Sequence, residues 1–363
     1  MDGYAVHSSW DSQPQAPLRI IGISLAGHPF AGEIGPGEAV RVFTGAAVPK
    51  SAHRVLLQEQ TDVASQDEVS FVPHTPTESY IRPVGHDVKA EQLLLPQASS
   101  LTPFHLGMLA SNGIKEVDVT AEPVVGVFST GDELVEPGIP PHELKPGQIY
   151  DSNRFTVIQL LQNLPLKLVD LGRLPDQEEA VFDAVAQASQ ECDALVTSGG
   201  VSVGDADFVT KVLSSLGELE FWKLNLKPGK PMAYAALPKD THSTCHVFGL
   251  PGNPVSTIVT LLMVAQPALM VLAGAKPTPP LRYGALLQSN LSHQPGRAEF
   301  QRGFAQTDDA GRLTVSHTGD QSSNRLSSFA VANCLIEIDK NSPDIAAGSQ
   351  VNIIPFFGLL GAY

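Results

Sequence analysis

A chain of 363 residues, 42% hydrophobic and 17% charged, has room for two or three domains, each with its own core. Its net charge of −15 excludes a general nucleic-acid binder, which needs a basic face for phosphates, although a few lysines suffice for a local anion pocket. Cys192, Cys245 and Cys334 are odd in number, widely spaced and outside any CxxC, so neither a disulfide framework nor a zinc knuckle is indicated.

From the start to about residue 95 the chain reads as β structure. PLRIIGISLAG, EAVRVFTGAAVP, HRVLLQEQTDV and EVSFVPHTP are short β-rich runs broken by Gly, Pro and Asp. The opening MDGYAVHSSWDSQ lacks the basic and apolar regions of a signal peptide, which favours a cytoplasmic location. Residues 96–122 form a helical connecting segment around TPFHLGMLASNG, with Thr102 as N-cap, Pro103 in the first turn and Gly113 near the end.

Residues 123–274 change to alternation. Strand-like PVVGVFST, LKLVDLG, DALVTSGG and HVFGL are interleaved with helical SNRFTVIQLLQNL, DQEEAVFDAVAQAS, DFVTKVLSSLG and PVSTIVTLLMVAQPALMVL. LEFWKLNLKPGKPMAYAAL reads as a strand pair. Such alternation predicts an α/β domain with a mostly parallel sheet covered on both faces. The apolar run at 256–275 is the nearest approach to a membrane span, but polar residues and Pro267 interrupt it. After the Pro-rich AGAKPTPP, residues 279–363 return to short strands, among them RYGALLQS, RAEFQRGFAQ, RLTVSH and CLIEID, which predict a small β-barrel or sandwich.

Three turns stand at the carboxyl ends of the strands of the α/β region, where open sheets bind ligands. They are STGDEL, TSGGVSVGDADF and GLPGNPVS, each offering bare backbone N–H groups ahead of a helix. Thr197, Ser198, Gly199, Gly200 and Ser202 line the central turn. Asp205 and Asp207 follow, and either could be an N-cap; two carboxylates beside a phosphate also suit the hard-oxygen preference of Mg²⁺. KPGKP sets Lys227 and Lys230 around a fixed Pro-Gly turn, two compact charges that suit a tetrahedral oxyanion, while Lys223 reads as part of a solvated face. There is no P-loop, GxGxxG, HExxH or GxSxG.

MDGYAV, RVFTGAAVP, STGDEL, GQIYDSN, TSGGVSVGDADF, KPGKP and GLPGNPVS occur in the order found in the molybdopterin molybdenumtransferases. The chain resembles that family, of the bacterial MoeA type and similar to the E domain of gephyrin, over essentially its whole length, including FQRG and SSFAVANC near the end. The resemblance implies a β-rich domain, a helical connecting domain, a molybdopterin-binding α/β domain and a C-terminal β-barrel. It also implies a Mg²⁺-dependent transferase that inserts molybdate into adenylylated molybdopterin and releases AMP. An elongated homodimer is implied as well, with the upstream adenylyltransferase and recipient molybdoenzymes as further partners.

Carried over by position, the resemblance makes Asp207 the Mg²⁺-linked aspartate, and Asp205 is a second metal candidate from its own chemistry. Glu133 and Asp132 become acidic residues needed for activity. Asp2, Thr44 and Asp87 become residues reaching into a partner's cleft. Thr197, Ser198, Gly199, Gly200, Ser202 and Asp205 then bind the pterin nucleotide, with Asn253, Pro254 and Ser256 beside it, and Lys227, Lys230, Pro231, Arg302 and Ser323 make up the molybdate pocket. Two departures mark the pattern. The likeness begins at Met1, inside the first motif, where the family carries a further lead-in; that bears on how Asp2 is held and on dimer assembly. RPVGHDV places Pro83, Val84 and His86 where the family has an Arg-rich run and a Glu. The competing readings are a molybdopterin adenylyltransferase, a gephyrin-like scaffold and a catalytically impaired truncation.

Overall fold

In the computed structural model, residues 1–12, 14, 16–72, 79–200, 208–239, 243–276 and 278–359 are described. The chain forms two compact units, Met1–Leu94 and Leu95–Tyr363.

The first unit is a single six-stranded sheet of β1 (Gly3–Val6), β2 (Leu18–Ser24), β3 (Glu38–Val42), β4 (Arg54–Leu57), β5 (Thr61–Ala64) and β6 (Glu68–Phe71). The order is β4-β1-β3-β2-β6-β5, antiparallel except for β2 beside β3. Side chains alternate across a strand, so central β1 feeds two small cores. Tyr4 and Val6 pack with Trp10, Leu56 and Phe71, whereas Ala5 packs with Ile34, Val40 and Val55. HRVLLQEQTDV is not one run: a turn at Gln58–Gln60 divides β4 from β5, and the Gln60 side chain accepts from Leu57 N–H at 3.1 Å.

The second unit begins with α1 (Pro103–Ser111). Thr102 caps it, accepting from His105 N–H at 3.4 Å. There follow β7 (Val124–Thr130), the two-residue pair β8 (Leu134–Val135) and β9 (Ile149–Tyr150), α2 (Asn153–Leu161), β10 (Lys167–Leu174), α3 (Glu178–Glu191) and β11 (Ala194–Ser198). Next come α4 (Phe208–Leu216), β12 (Glu218–Lys223), β13 (Leu226–Lys227), β14 (Pro231–Pro238), β15 (Thr244–Leu250), α5 (Pro254–Thr260) and α6 (Gln266–Leu272). The barrel strands are β16 (Tyr283–Leu287), β17 (Ala298–Thr307), β18 (Leu313–His317), β19 (Cys334–Ile338) and β20 (Gln350–Pro355), with short α7 (Ser327–Ala330) before β19.

The α/β sheet runs β10-β7-β11-β15-β14-β12, parallel from β10 to β15 and antiparallel beyond. The chain steps one way from β7 to β10, then returns past β7 to β11. The order therefore reverses between β7 and β11, the crevice where sheets of this kind take ligands. Val181, Val185, Val209 and Leu213 of α3 and α4 cover one face. Val157 and Leu161 of α2, with Leu261, Ala265 and Leu269, cover the other.

α5, a widened turn at Leu261–Ala265 and α6 make one helical rod, 254–272, with mean hydropathy 2.0. It is long and apolar enough to cross a membrane by length and composition alone, but most of it is buried inside the fold. Its apolar circumference has a local cause: one side packs on the sheet, and Val255, Ile258, Val259 and Leu262 pack on Phe300, Leu335 and Ile354 of the barrel. Pro267 lacks an N–H and would crowd the carbonyl four residues back, and the widened turn just ahead of it accommodates both defects. The barrel closes through β17 pairing with both β18 and β19 around Leu287, Val315, Ile336 and Ile353. β20, which no run in the sequence analysis singled out, completes it.

Candidate active site

The three turns marked in the sequence follow β7, β11 and β15, which are neighbours in the sheet, so all three lie at one rim. They are in contact. Gly199 N–H donates to Leu250 O at 3.1 Å. Gly200 has φ +67°, and a Cβ there would stand 2.7 Å from Thr130 Oγ1 and 2.5 Å from Val209 Cγ2. Glycine is thus required both by conformation and by the close approach of the β7 turn. Asn153 at the start of α2 donates from Nδ2 to Gly252 O at 2.7 Å, tying the third turn to the same rim.

The side chains at this rim are mostly oxygen donors and acceptors. Thr197 Oγ1 and Ser198 Oγ are buried at the end of β11 with no hydrogen-bond partner among the described residues. Buried hydroxyls normally find partners, which makes this pair a candidate for contact with a ligand. Ser202, Asp205 and Asp207 lie outside the described residues. Glu133 is exposed, its carboxylate lying over the Gly131 backbone. Asp132 exchanges bonds with Asp176: Asp132 N–H donates to Asp176 Oδ2 at 3.2 Å and Asp176 N–H to Asp132 Oδ1 at 3.3 Å.

Below the rim stands a polar hub that motif reading missed. Arg154 is buried and bonds Asp151, Asp170 and Glu136 together, with Nε–Oδ2 3.1 Å to Asp151. Ser129 Oγ donates to Asp151 Oδ2 at 2.5 Å. This network clamps the segment after Glu133 to β7 and β10. Its signal was present in GQIYDSNR, where an acid stands three residues before an arginine.

The second half of the site gathers on the first turn of α5. Pro254 opens the helix after Asn253, Ser256 is buried within it, and Val255 N–H donates to Ser323 O at 3.0 Å. The KPGK turn lies against the same helix. The Lys227–Pro228 peptide is cis, and Leu224 N–H donates to Lys230 O at 2.8 Å. Gly229 has φ +113°, and a Cβ there would collide with Thr260 Oγ1. Lys230 and Pro231 are exposed, whereas Lys227 is engaged, its Nζ 3.1 Å from Glu299 Oε1.

Arg302 is not a free cation. It is 1% exposed, and donates from Nε to Ser328 Oγ at 2.9 Å and from Nη2 to Ser322 O at 3.2 Å. Burial pushes its guanidinium down to about 10. It holds the loop that presents Ser323. In the other unit, Asp2 Oδ1 accepts from Thr44 N–H at 2.8 Å and Oγ1 at 2.9 Å, and these bonds hold its carboxyl below the ordinary 3.8. Asp87 is exposed on irregular chain.

Residues 126–271 match the family described as "Probable molybdopterin binding domain". Residues 1–113 match "MoeA N-terminal region (domain I and II)" and residues 285–356 match "MoeA C-terminal region (domain IV)". The chain is 42% identical to the molybdopterin molybdenumtransferase of Haemophilus influenzae over 362 residues, covering 99% of this chain and 87% of that protein. The chain belongs to the molybdopterin molybdenumtransferase family. A second member, from Nostoc sp., is 32% identical over 98% of this chain and 81% of its own. Gephyrin of Dictyostelium discoideum is 30% identical over 97% of this chain and 55% of its own length. The solved molybdopterin biosynthesis moeA protein of Pyrococcus horikoshii superposes with a TM-score of 0.81 at 28% identity, covering 98% and 86% of the two chains. The N-terminal sheet, the α/β domain with its parallel strands and the closed barrel are thus the architecture of this family.

Proposed function

We propose that the rim of the α/β sheet binds adenylylated molybdopterin and that the first turn of α5 receives molybdate beside it. As a molybdopterin molybdenumtransferase, the chain inserts molybdenum in cofactor synthesis, releasing AMP. The observation that carries the residue-level reading is the convergence of three bare-backbone turns beside the buried, unpartnered hydroxyls of Thr197 and Ser198.

Backbone N–H groups at Gly200 and Gly252 donate to the phosphates, since amides ahead of helices favour anions. Asn253 and Ser256 orient the nucleotide. The exposed Lys230 and the Ser323 loop, held by Arg302, receive the tetrahedral dianion. On this reading Glu133, with Asp132 beside it on the β7 turn, takes up or delivers the protons as the thiolates react. The acidic and hydroxyl groups at the rim offer oxygen, and the three cysteines are buried elsewhere, which fits Mg²⁺ rather than a softer metal. Asp207 and Asp205 would hold it. When bound, it supplies positive charge that neutralises the phosphoanhydride.

The working form is a homodimer, in which Asp2, Thr44 and Asp87 of one subunit complete the cleft of the other. Exposed apolar residues around α1, with Phe104 at 87% and Leu106 at 55%, support that assembly because isolated chains seldom leave such a helix uncovered.

The test is Asp207→Ala incubated with adenylylated molybdopterin, molybdate and Mg²⁺. AMP release is expected to fall at least about a hundredfold with the fold intact, in line with loss of a principal charge-stabilising contact. Parent-like AMP release would remove Asp207 from the reaction.

A further inference from the structure

The barrel holds a buried acid that the reading above leaves without a role. Glu299 on β17 is 3% exposed. Its Oε1 stands 3.1 Å from Lys227 Nζ and accepts from Gln301 Nε2 at 3.2 Å. Its Oε2 is buried and has no hydrogen-bond partner among the described residues. His293 Nε2 stands 3.9 Å from that oxygen, but is occupied with Arg297 O at 3.0 Å. A carboxylate in such surroundings is costly unless a cation neutralises it, and Lys227 is placed to do so.

The pair is built into the backbone register. β13 runs parallel to β17, with Lys227 directly opposite Glu299. Three residues further along the same strand, Arg302 holds Ser322 O and so the loop carrying Ser323. Three residues beyond Lys227 stands Lys230, exposed. The Lys227–Glu299 bond therefore pins the turn that presents Lys230 to the strand that positions Ser323.

We propose that Glu299 is a positioning residue for the oxyanion pocket. Lys227 serves that pocket by neutralising Glu299, and contact with the oxyanion falls to Lys230. This inference rests on the molybdate reading of the KPGK turn, and its test separates the two.

The experiment compares Lys227→Met, Glu299→Gln, the double variant and Lys230→Met for molybdate KM, kcat and thermal unfolding. Lys227→Met strands a buried charge, so its melting temperature is expected to fall by about 5 °C or more, and its molybdate KM to rise about tenfold. The double variant removes that charge. It is expected to recover to within about 2 °C of the parent in melting and about threefold in KM, the pattern of directly coupled residues. A double variant with KM as poor as Lys227→Met would mean that Lys227 itself touches the oxyanion; one that stays as unstable would mean no coupling. Either result overturns the proposal. Should Lys227→Met not fold, the double variant is read against Glu299→Gln: equal molybdate KM supports the proposal, and a higher one overturns it. Lys230→Met is expected to raise molybdate KM at least about tenfold with parent-like melting, because an exposed cation carries binding rather than fold. An unchanged KM there would sink the molybdate reading itself.

Discussion

Single atoms decide much of the site's shape. Gly200 admits the Thr130 hydroxyl and the Val209 methyl into space that any side chain would fill, and it does so at positive φ. Gly200→Ala is therefore expected to destabilise the protein by about 1–3 kcal/mol, measured by urea unfolding, and to reduce AMP release by spreading the β7 and β11 turns. A parent-like unfolding midpoint would mean that the two turns can part at no cost. The glycines were legible in TSGG because unencumbered turns are written in residue type. Glu299 was not, since nothing in RAEFQRG marks its one acid as buried. Arg302 was legible as a cation, but its consumption by Ser328 and the loop carbonyls depends on which strand it stands on.

Among the elements, the helical rod 254–272 is the one on which both halves of the site depend. It is clasped between the sheet and the barrel, so truncating its middle leaves a cavity in contact with both. Leu261 is fully buried, and Leu261→Ala is expected to cost about 2–5 kcal/mol in chemical denaturation, with an accompanying loss of molybdate affinity as α5 loosens. A loss below about 1 kcal/mol would show that the rod relaxes freely. Strand and helix alternation was readable from 123 onward because parallel strands buried on both faces are continuous apolar runs, unlike the helices between them. The four-residue β1 escaped notice: GYAV is buried on both faces and so shows no alternation. The pairing of β13 with β17 was beyond reach for a similar reason, being two residues long and defined wholly by its partner.

At the level of the molecule, the chain is strongly acidic, with a net charge of −15. Cys245 and Cys334 are pushed up to about 12 by burial, and all three cysteines are free and buried, so thiol chemistry takes no part in the reading of the site. Self-association is a global property that the proposed homodimer makes testable. If the chain pairs through α1 as proposed, Phe104→Glu is expected to shift it from dimer to monomer in sedimentation velocity, because a charge in an apolar contact must be desolvated to pair. An unchanged sedimentation coefficient for a dimeric parent would place the interface elsewhere.

The order of motifs, the alternation of strand and helix and the bare turns were all written locally, in residue types that restrict their own backbone or bury their own faces. Sequence alone therefore carried the family, the fold class and the rim. Which lysine is spent on a buried acid, and which arginine on loop carbonyls, followed from strand register and closure of the barrel. Lys227 and Glu299 are some seventy positions apart, and Arg302 reaches a loop twenty residues on; such pairings exist only once the intervening chain has packed.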